Sequence, residues 1–477
     1  MAEASGDARM LSAGVAAAAC RINALSSDVL IRAISFLDAR QLVQTCVLSR
    51  RWRDLWRSVT RISASCDEFD GMAGTEEACD VLFKRFMNRF LMLRNPAPLD
   101  EFRLRYNIPV ESADPYADSE DANLWIRHAL QSNAQFVDVS GCSMELHLDP
   151  VVFASKCCFV TTMQLSLVLL QPTFFKNLQT GCTLLERLIL CCCIIDDPEI
   201  SSHTLKVLTI DPGCVCIFEG RASISIPSLI DLEFSPEDPM IPLLKNMESL
   251  VTASFSLGTN DDQVDDPCQF LWSLQGVRDL EFSYKGRVLE MQQNLQWCPK
   301  FNNLTNLTLG GWCLYQNLYP LIVFLQNSPN LEQLTLKLRN GFSKLKVEQN
   351  LQWCPKFNNL TTLTLGDWCL YGNFYPLIVF LQKSPNLEKL TLKLGRGLRK
   401  FYPDGGFIGV LEERSFTCEH LVMVEIAFIN FRSDPMGSKV DHVVNSLVVL
   451  LCDNNSITPD QISIKNRFTV GTDLQIS

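Results

Sequence analysis

The chain has 477 residues, 47% of them hydrophobic and 20% charged, and a net charge of -11. Its length exceeds one ordinary core and calls for several domains or an extended array, while its composition excludes disorder on a large scale. The acidic balance argues against a nucleic-acid partner, and no apolar run reaches the ~18–20 residues that span a bilayer.

Of the 20 cysteines, three are contiguous at 191–193, Cys157 and Cys158 are adjacent, and most others fall singly in apolar stretches. They read as buried thiols of a reduced compartment, not as a disulfide scaffold. Residues 1–21 are Ala-rich, with Glu3 and Asp7 ahead of the weakly apolar stretch. They read as a disordered leader and not as a signal peptide.

Residues 22–60 predict three short helices. Ser26 or Ser27 caps the first, with Asp28 in its opening turn and Val29, Leu30, Ala33, Ile34 and Leu37 at helical spacing. Asp38 caps the second, which carries Leu42, Val43, Cys46 and Val47. Ser49 caps the third, striped by Trp52, Leu55, Trp56 and Val59. A module of about 40 residues seldom stabilises its own core, so it either packs on the rest of the chain or keeps an apolar face for a partner.

Thr75-Glu76-Glu77 then opens an amphipathic helix with Val81, Leu82, Phe86, Phe90, Leu91 and Leu93 on its apolar side and Pro96 beyond its end. A further helix is expected over 120–132, with Leu124, Trp125, His128 and Ala129 near one side.

From residue 99 to residue 426 the pattern L-x-x-L-x-L recurs. Four clean copies start at Leu304, Leu331, Leu360 and Leu387, 27, 29 and 27 residues apart. Looser copies start at Leu99, Ala134, Leu185, Leu205, Leu229 and Val277, with weaker ones at Thr162 and Leu250. A period in this range belongs to a stack of units, each contacting only its neighbours. The pattern leucines point inward and the residues between them share one outward face. Residues 293–338 return almost unchanged at 349–394, an offset of 56 that equals two units.

Trp297, Trp312, Trp353 and Trp368 are therefore paired positions, read as fillers beneath the connections in preference to binding aromatics. Pro320 and Pro376 each begin one short helix per unit. The run CEHLVMVEI at 418–426 is a last strand of the same type. A helix follows from about Ser438 with Val440, Val443, Val444, Leu447 and Leu451 as its stripe. The state of the polar segment 455–477 is left open.

The residues yield no phosphate loop, no metal-ligand set and no nucleophile–base spacing. No catalytic residue, metal or cofactor is expected.

Three segments resemble an F-box: INALSSDVL at 22–30, ISFL at 34–37 and VLSRRWRDLW at 47–56. The last resembles the plant F-box/leucine-rich-repeat type, and the CEHL-x-x-VEI run resembles the FBD region that follows the repeats in that family. The family commonly has Leu-Pro where this chain has Leu25-Ser26.

The resemblance implies an α/β repeat fold: a three-helix F-box, a leucine-rich-repeat solenoid with parallel strands on its concave face, and a C-terminal cap. Its expected boundaries are an F-box at 22–62, a helical connector at 63–98, the array at 99–400, the FBD-like cap at 401–454 and a polar tail at 455–477. It implies a non-catalytic, substrate-recognising subunit of a Skp–cullin–F-box ubiquitin ligase, located in the nucleus, the cytoplasm or both. Leu25, Ser26, Val29, Leu30, Ile34, Leu37, Val43, Val47, Leu48 and Trp52 would meet the Skp-type adaptor.

For an unknown protein substrate, the outward strand positions Asn306, Thr308, Gln333, Thr335, Lys337, Thr362, Thr364, Lys389, Thr391 and Lys393 are the candidates. Asp231, Glu233, Asp279 and Glu281 lie farther forward, so the face would change sign along its length. Solvated polar positions without a role are the competing reading. A repeat scaffold with a degenerate F-box, outside any ligase, is the alternative for the whole chain.

Overall fold

A computed structural model describes residues 22, 25–108, 114–154, 159–238, 240–258, 267–285, 298–311, 319–337, 354–394, 416, 418–428, 437–454 and 457–466. The leader, Trp297, Trp312 and Trp353 lie outside them. The chain divides into two units, residues 1–197 and 198–477. Each is α/β, with parallel strands following one another in chain order.

The first unit opens with α1 (Ser27–Ile34) and α2 (Ala39–Gln44). Ser26 caps α1 by accepting from the Val29 N–H at 3.4 Å. Asp38 stands at the cap of α2 but accepts instead from the Ser63 hydroxyl at 2.8 Å. The third helix expected after Ser49 does not form. Trp52, Leu55, Arg57 and Val59 each donate to the carbonyl three residues back, which gives turns and a short 3-10 helix, Leu55–Ser58. That tighter winding turns Trp52, Leu55, Trp56 and Val59 inward together, all at most 9% exposed.

Helix α3 (Glu76–Leu93) starts where predicted, with Thr75 Oγ1 accepting from the Ala78 N–H at 3.3 Å. Its buried stripe differs from the one expected. Cys79, Phe83, Met87, Phe90 and Leu91 face the core, while Val81, Leu82 and Leu93 are exposed. Phe90 stacks on Trp56 at 5.4 Å and so fixes this helix to the opening module. The helix Glu120–Gln131 buries Trp125, Ile126, Ala129 and Leu130 but leaves Leu124 exposed. Trp125 donates to Asn88 Oδ1 of α3 at 2.7 Å. Partly buried His128 has its pKa lowered, first by burial and then by Arg94.

A strand precedes the expected first repeat. β1 (Arg61–Ser65) pairs in parallel with β2 (Glu101–Arg105), which pairs with β3 (Phe136–Ser140), then Thr162–Ser166 and Arg187–Cys191. Ile62 and Ala64 are its inward residues. A small second pattern residue hides this strand from a leucine-based search.

In the second unit, ten described strands from Val207–Ile210 to Ile462–Asn466 form one series, each pairing in parallel with the next. Leu307, Leu334, Leu363, Leu390 and Val424 stand in one register row, each at most 1% exposed. The strand Ile462–Asn466 answers the state of part of the segment left open. Behind the strands, Phe282 stacks on Phe324 at 6.0 Å, and Phe324 on Phe301 at 5.9 Å.

Trp368 is 3% exposed and meets Phe380 edge-on, as a filler should. Pro376 does not begin its helix; it lies inside Tyr371–Lys383. Phe374, left-handed at φ 68°, precedes it by two residues. The helix Gly437–Asn454 buries Val443, Val444, Leu447, Leu450 and Leu451, close to the stripe expected.

Candidate functional site: the apolar face of the opening module and the outward strand face

The candidate docking residues of the opening module separate by burial. Leu30 (1%), Ile34 (4%) and Trp52 (9%) are inside the chain, with Leu42 and Trp56. They hold the module together and have no surface to offer. Leu37 and Val43 are half-buried.

Leu25, Val29, Val47 and Leu48 are exposed, Val47 by 82% and Leu48 by 63%, and Ser26 is exposed beside them. Arg51 donates to the Leu25 carbonyl and so ties the entry of α1 to the turn after α2. Phe36, absent from the predicted set, is 70% exposed, and the Arg61 guanidinium lies 4.8 Å from its ring centre. Its position at the end of α1, out of phase with the buried Leu30 and Ile34, was the available signal. Large apolar side chains clustered on one small module are costly in water and mark an interaction surface.

Glu68, whose backbone carbonyl accepts from Arg40 of α2, is a half-buried acid. Burial first, and then Asp38, push its carboxyl up to about 7.

The outward positions of the second unit fall into rows. Asp231, Thr252, Asp279, Asn306, Gln333, Thr362 and Lys389 form one; Glu233, Ser254, Glu281, Thr308, Thr335, Thr364, Thr391 and Glu425 form the next. Lys393 pairs in register with Gly366. All the proposed substrate residues in these rows are half-buried or exposed except Thr391, which is 7% exposed and packs into the face.

The forward end is acidic. Burial, then Asp211, Asp231 and Glu281, raise the Glu233 pKa. The rear end carries Lys389, Lys393 and Lys465. Lys337 reaches forward to Glu281 at 2.6 Å, and Lys465 meets Glu425 at 3.0 Å. Among the described residues no helix is long and apolar enough to cross a membrane.

With this geometry in view, the comparisons are specific. Residues 22–63 match the F-box domain. An F-box/FBD/LRR-repeat protein of Arabidopsis thaliana is 24% identical over 79% of this chain and 88% of its own length. An FBD-associated F-box protein of the same plant is 24% identical over 79% of this chain and 90% of its own. An F-box/LRR-repeat protein, also from Arabidopsis thaliana, is 27% identical over 78% and 88%. The likeness to plant F-box/leucine-rich-repeat proteins with an FBD region, read from the residues, therefore holds over most of the chain. These matches support an adaptor role in general terms, and F-box proteins are generally non-catalytic.

Proposed function

We propose that this chain is the substrate-recognition subunit of a Skp–cullin–F-box ubiquitin ligase, acting inside the cell in the nucleus, the cytoplasm or both. The exposed set Leu25, Ser26, Val29, Val47 and Leu48, with Phe36, docks on the Skp-type adaptor, while Leu30, Ile34 and Trp52 shape that surface from within. The strands behave as a leucine-rich-repeat solenoid. Their outward rows hold a protein substrate, acidic positions at the forward end and lysines at the rear setting its orientation. The chain itself moves no proton and forms no bond. It raises the local concentration of substrate at a ligase assembled elsewhere, which is catalysis by proximity.

The observation that carries this reading is the coincidence of the F-box match with a cluster of exposed apolar residues on the same segment. Copurification of the full chain with a Skp-type adaptor tests it; a folded chain that leaves the adaptor unbound would overturn it. A second reading, a repeat scaffold outside any ligase, is favoured by Leu25-Ser26 in place of the family's Leu-Pro. Against it, Ser26 still caps α1. Adaptor-dependent turnover of a bound target separates the two readings.

A further inference from the structure

We propose that Cys66, Asp67 and Cys142 form a site for a divalent, borderline-soft metal ion of the zinc type, at the end of β1, β2 and β3. The two sulfurs and a carboxylate oxygen of Asp67 all lie within 4.8 Å of one another. Tetrahedral zinc, with Zn–S of about 2.3 Å and Zn–O of about 2.0–2.2 Å, sets its ligand atoms about 3.5–3.8 Å apart. Two thiolates and a carboxylate suit zinc better than magnesium or calcium, which take oxygen ligands.

The sequence does not point to this trio, because Cys66 and Cys142 are far apart in the chain, and the histidine at ligand-like spacing from Cys142, His147, is not part of the cluster. Parallel register brings them together. Cys66 and Asp67 open the turn that follows β1, where Ser65 Oγ accepts from the Asp67 N–H at 3.2 Å. Cys142 follows β3 by way of Gly141, whose N–H donates to the Ser166 carbonyl at 2.9 Å. A Cβ on Gly141 would stand 2.3 Å from the Leu167 carbonyl oxygen, so only glycine passes this point. Each turn thus carries a hydrogen bond next to its ligand residue.

The turns after β1 and β3 flank the end of β2, and across it the Cys66 and Cys142 sulfurs lie within 4.8 Å of each other.

Arg105, the last residue of β2, binds Asp67 at 3.1 Å and hydrogen-bonds Cys142. Two thiolates and a carboxylate carry three negative charges, which a divalent ion and this guanidinium together neutralise. Arg105 also orients both ligands, the role outer-shell partners play at metal centres. A cavity of about 450 Å³ adjoins Cys66 and Asp67, lined also by Asp70, Glu76, Asp80 and Asn107. It gives a cation an acidic approach and leaves room for water as fourth ligand. Binding releases one proton from each thiol to solvent, with no change of oxidation state, so affinity rises with pH.

The test uses the full-length chain, reduced and desalted, titrated with Co²⁺ and then Zn²⁺. The expected result is a thiolate-to-cobalt charge-transfer band that Zn²⁺ displaces. Cys66→Ser and Cys142→Ser should each lose one metal equivalent and its share of the band, and Asp67→Asn should weaken binding by about tenfold or more. Circular dichroism checks folding; Cys142 is exposed, so Cys142→Ser decides if Cys66→Ser misfolds. A band and stoichiometry unchanged in Cys142→Ser would overturn the proposal. So would a Cys66–Cys142 disulfide found by peptide mapping of the air-exposed chain when the reduced chain binds no cobalt at these residues.

Discussion

Replacing Val47 and Leu48 together by alanine should weaken adaptor binding by about 100-fold and leave folding intact. The magnitude follows from the exposed side chains. Burying one CH₂ is worth about 0.8 kcal/mol. Val→Ala removes two carbons from a side chain 82% exposed, about 1.3 kcal/mol at stake, and Leu→Ala removes three from one 63% exposed, about 1.5 kcal/mol. Together they approach 2.8 kcal/mol, and each 1.4 kcal/mol is a factor of about ten in Kd. Both residues already face water, so the variant's stability should stay within about 0.5 kcal/mol of the parent. Isothermal titration calorimetry against a Skp-type adaptor reads the affinity and thermal denaturation reads the fold. An unchanged Kd in a folded variant would put the binding energy elsewhere and rule these two side chains out as docking residues. A large loss of Tm would refute the separation between docking and core residues.

Three further outcomes follow from the same geometry. Leu42→Ala, at a fully buried position of the opening module, should destabilise it by about 2–5 kcal/mol, read by denaturant unfolding, and should lose adaptor binding through unfolding. Glu68→Gln should stabilise the chain increasingly as pH rises. The folded carboxyl titrates near 7 against an ordinary 4.5, so the folded state holds the extra proton between those values and the parent loses stability as pH climbs through that window. A Tm difference that does not grow from pH 4.5 to 7.5 would count against it. Lys389→Glu with Lys393→Glu should change capture of a substrate bound by the parent chain by about tenfold, with a weaker effect at high salt, measured by surface plasmon resonance.

The strand rows were legible because a leucine at every second residue, the inward one, leaves a period that survives in sequence. Even the weak candidates at Thr162 and Leu250 lead into strands, Thr162–Ser166 and Thr252–Gly258. β1 was not, since Ala64 and flanking serines carry no apolar signal. Helix faces were harder to read than helix positions. In α3 the sequence offers apolar residues on more than one side, and only packing against Trp56 and Phe69 selects Phe83, Phe86 and Phe90 as neighbours. The docking set was half legible for a related reason: helical spacing groups Val29 with Leu30 and Ile34, but only the fold shows which of them is turned inward. The Cys66–Cys142 encounter depends on strand register, which no local pattern records.

In the proposed complex, the exposed apolar residues around α1 and the turn after α2 form the surface a Skp-type adaptor covers. Hydrogen–deuterium exchange on the full chain, with and without that adaptor, measures it directly. A stable complex with new protection confined within 25–48, strongest at 45–48, is the expected result. A complex that forms without protecting those amides, or no complex from a folded chain, would contradict it.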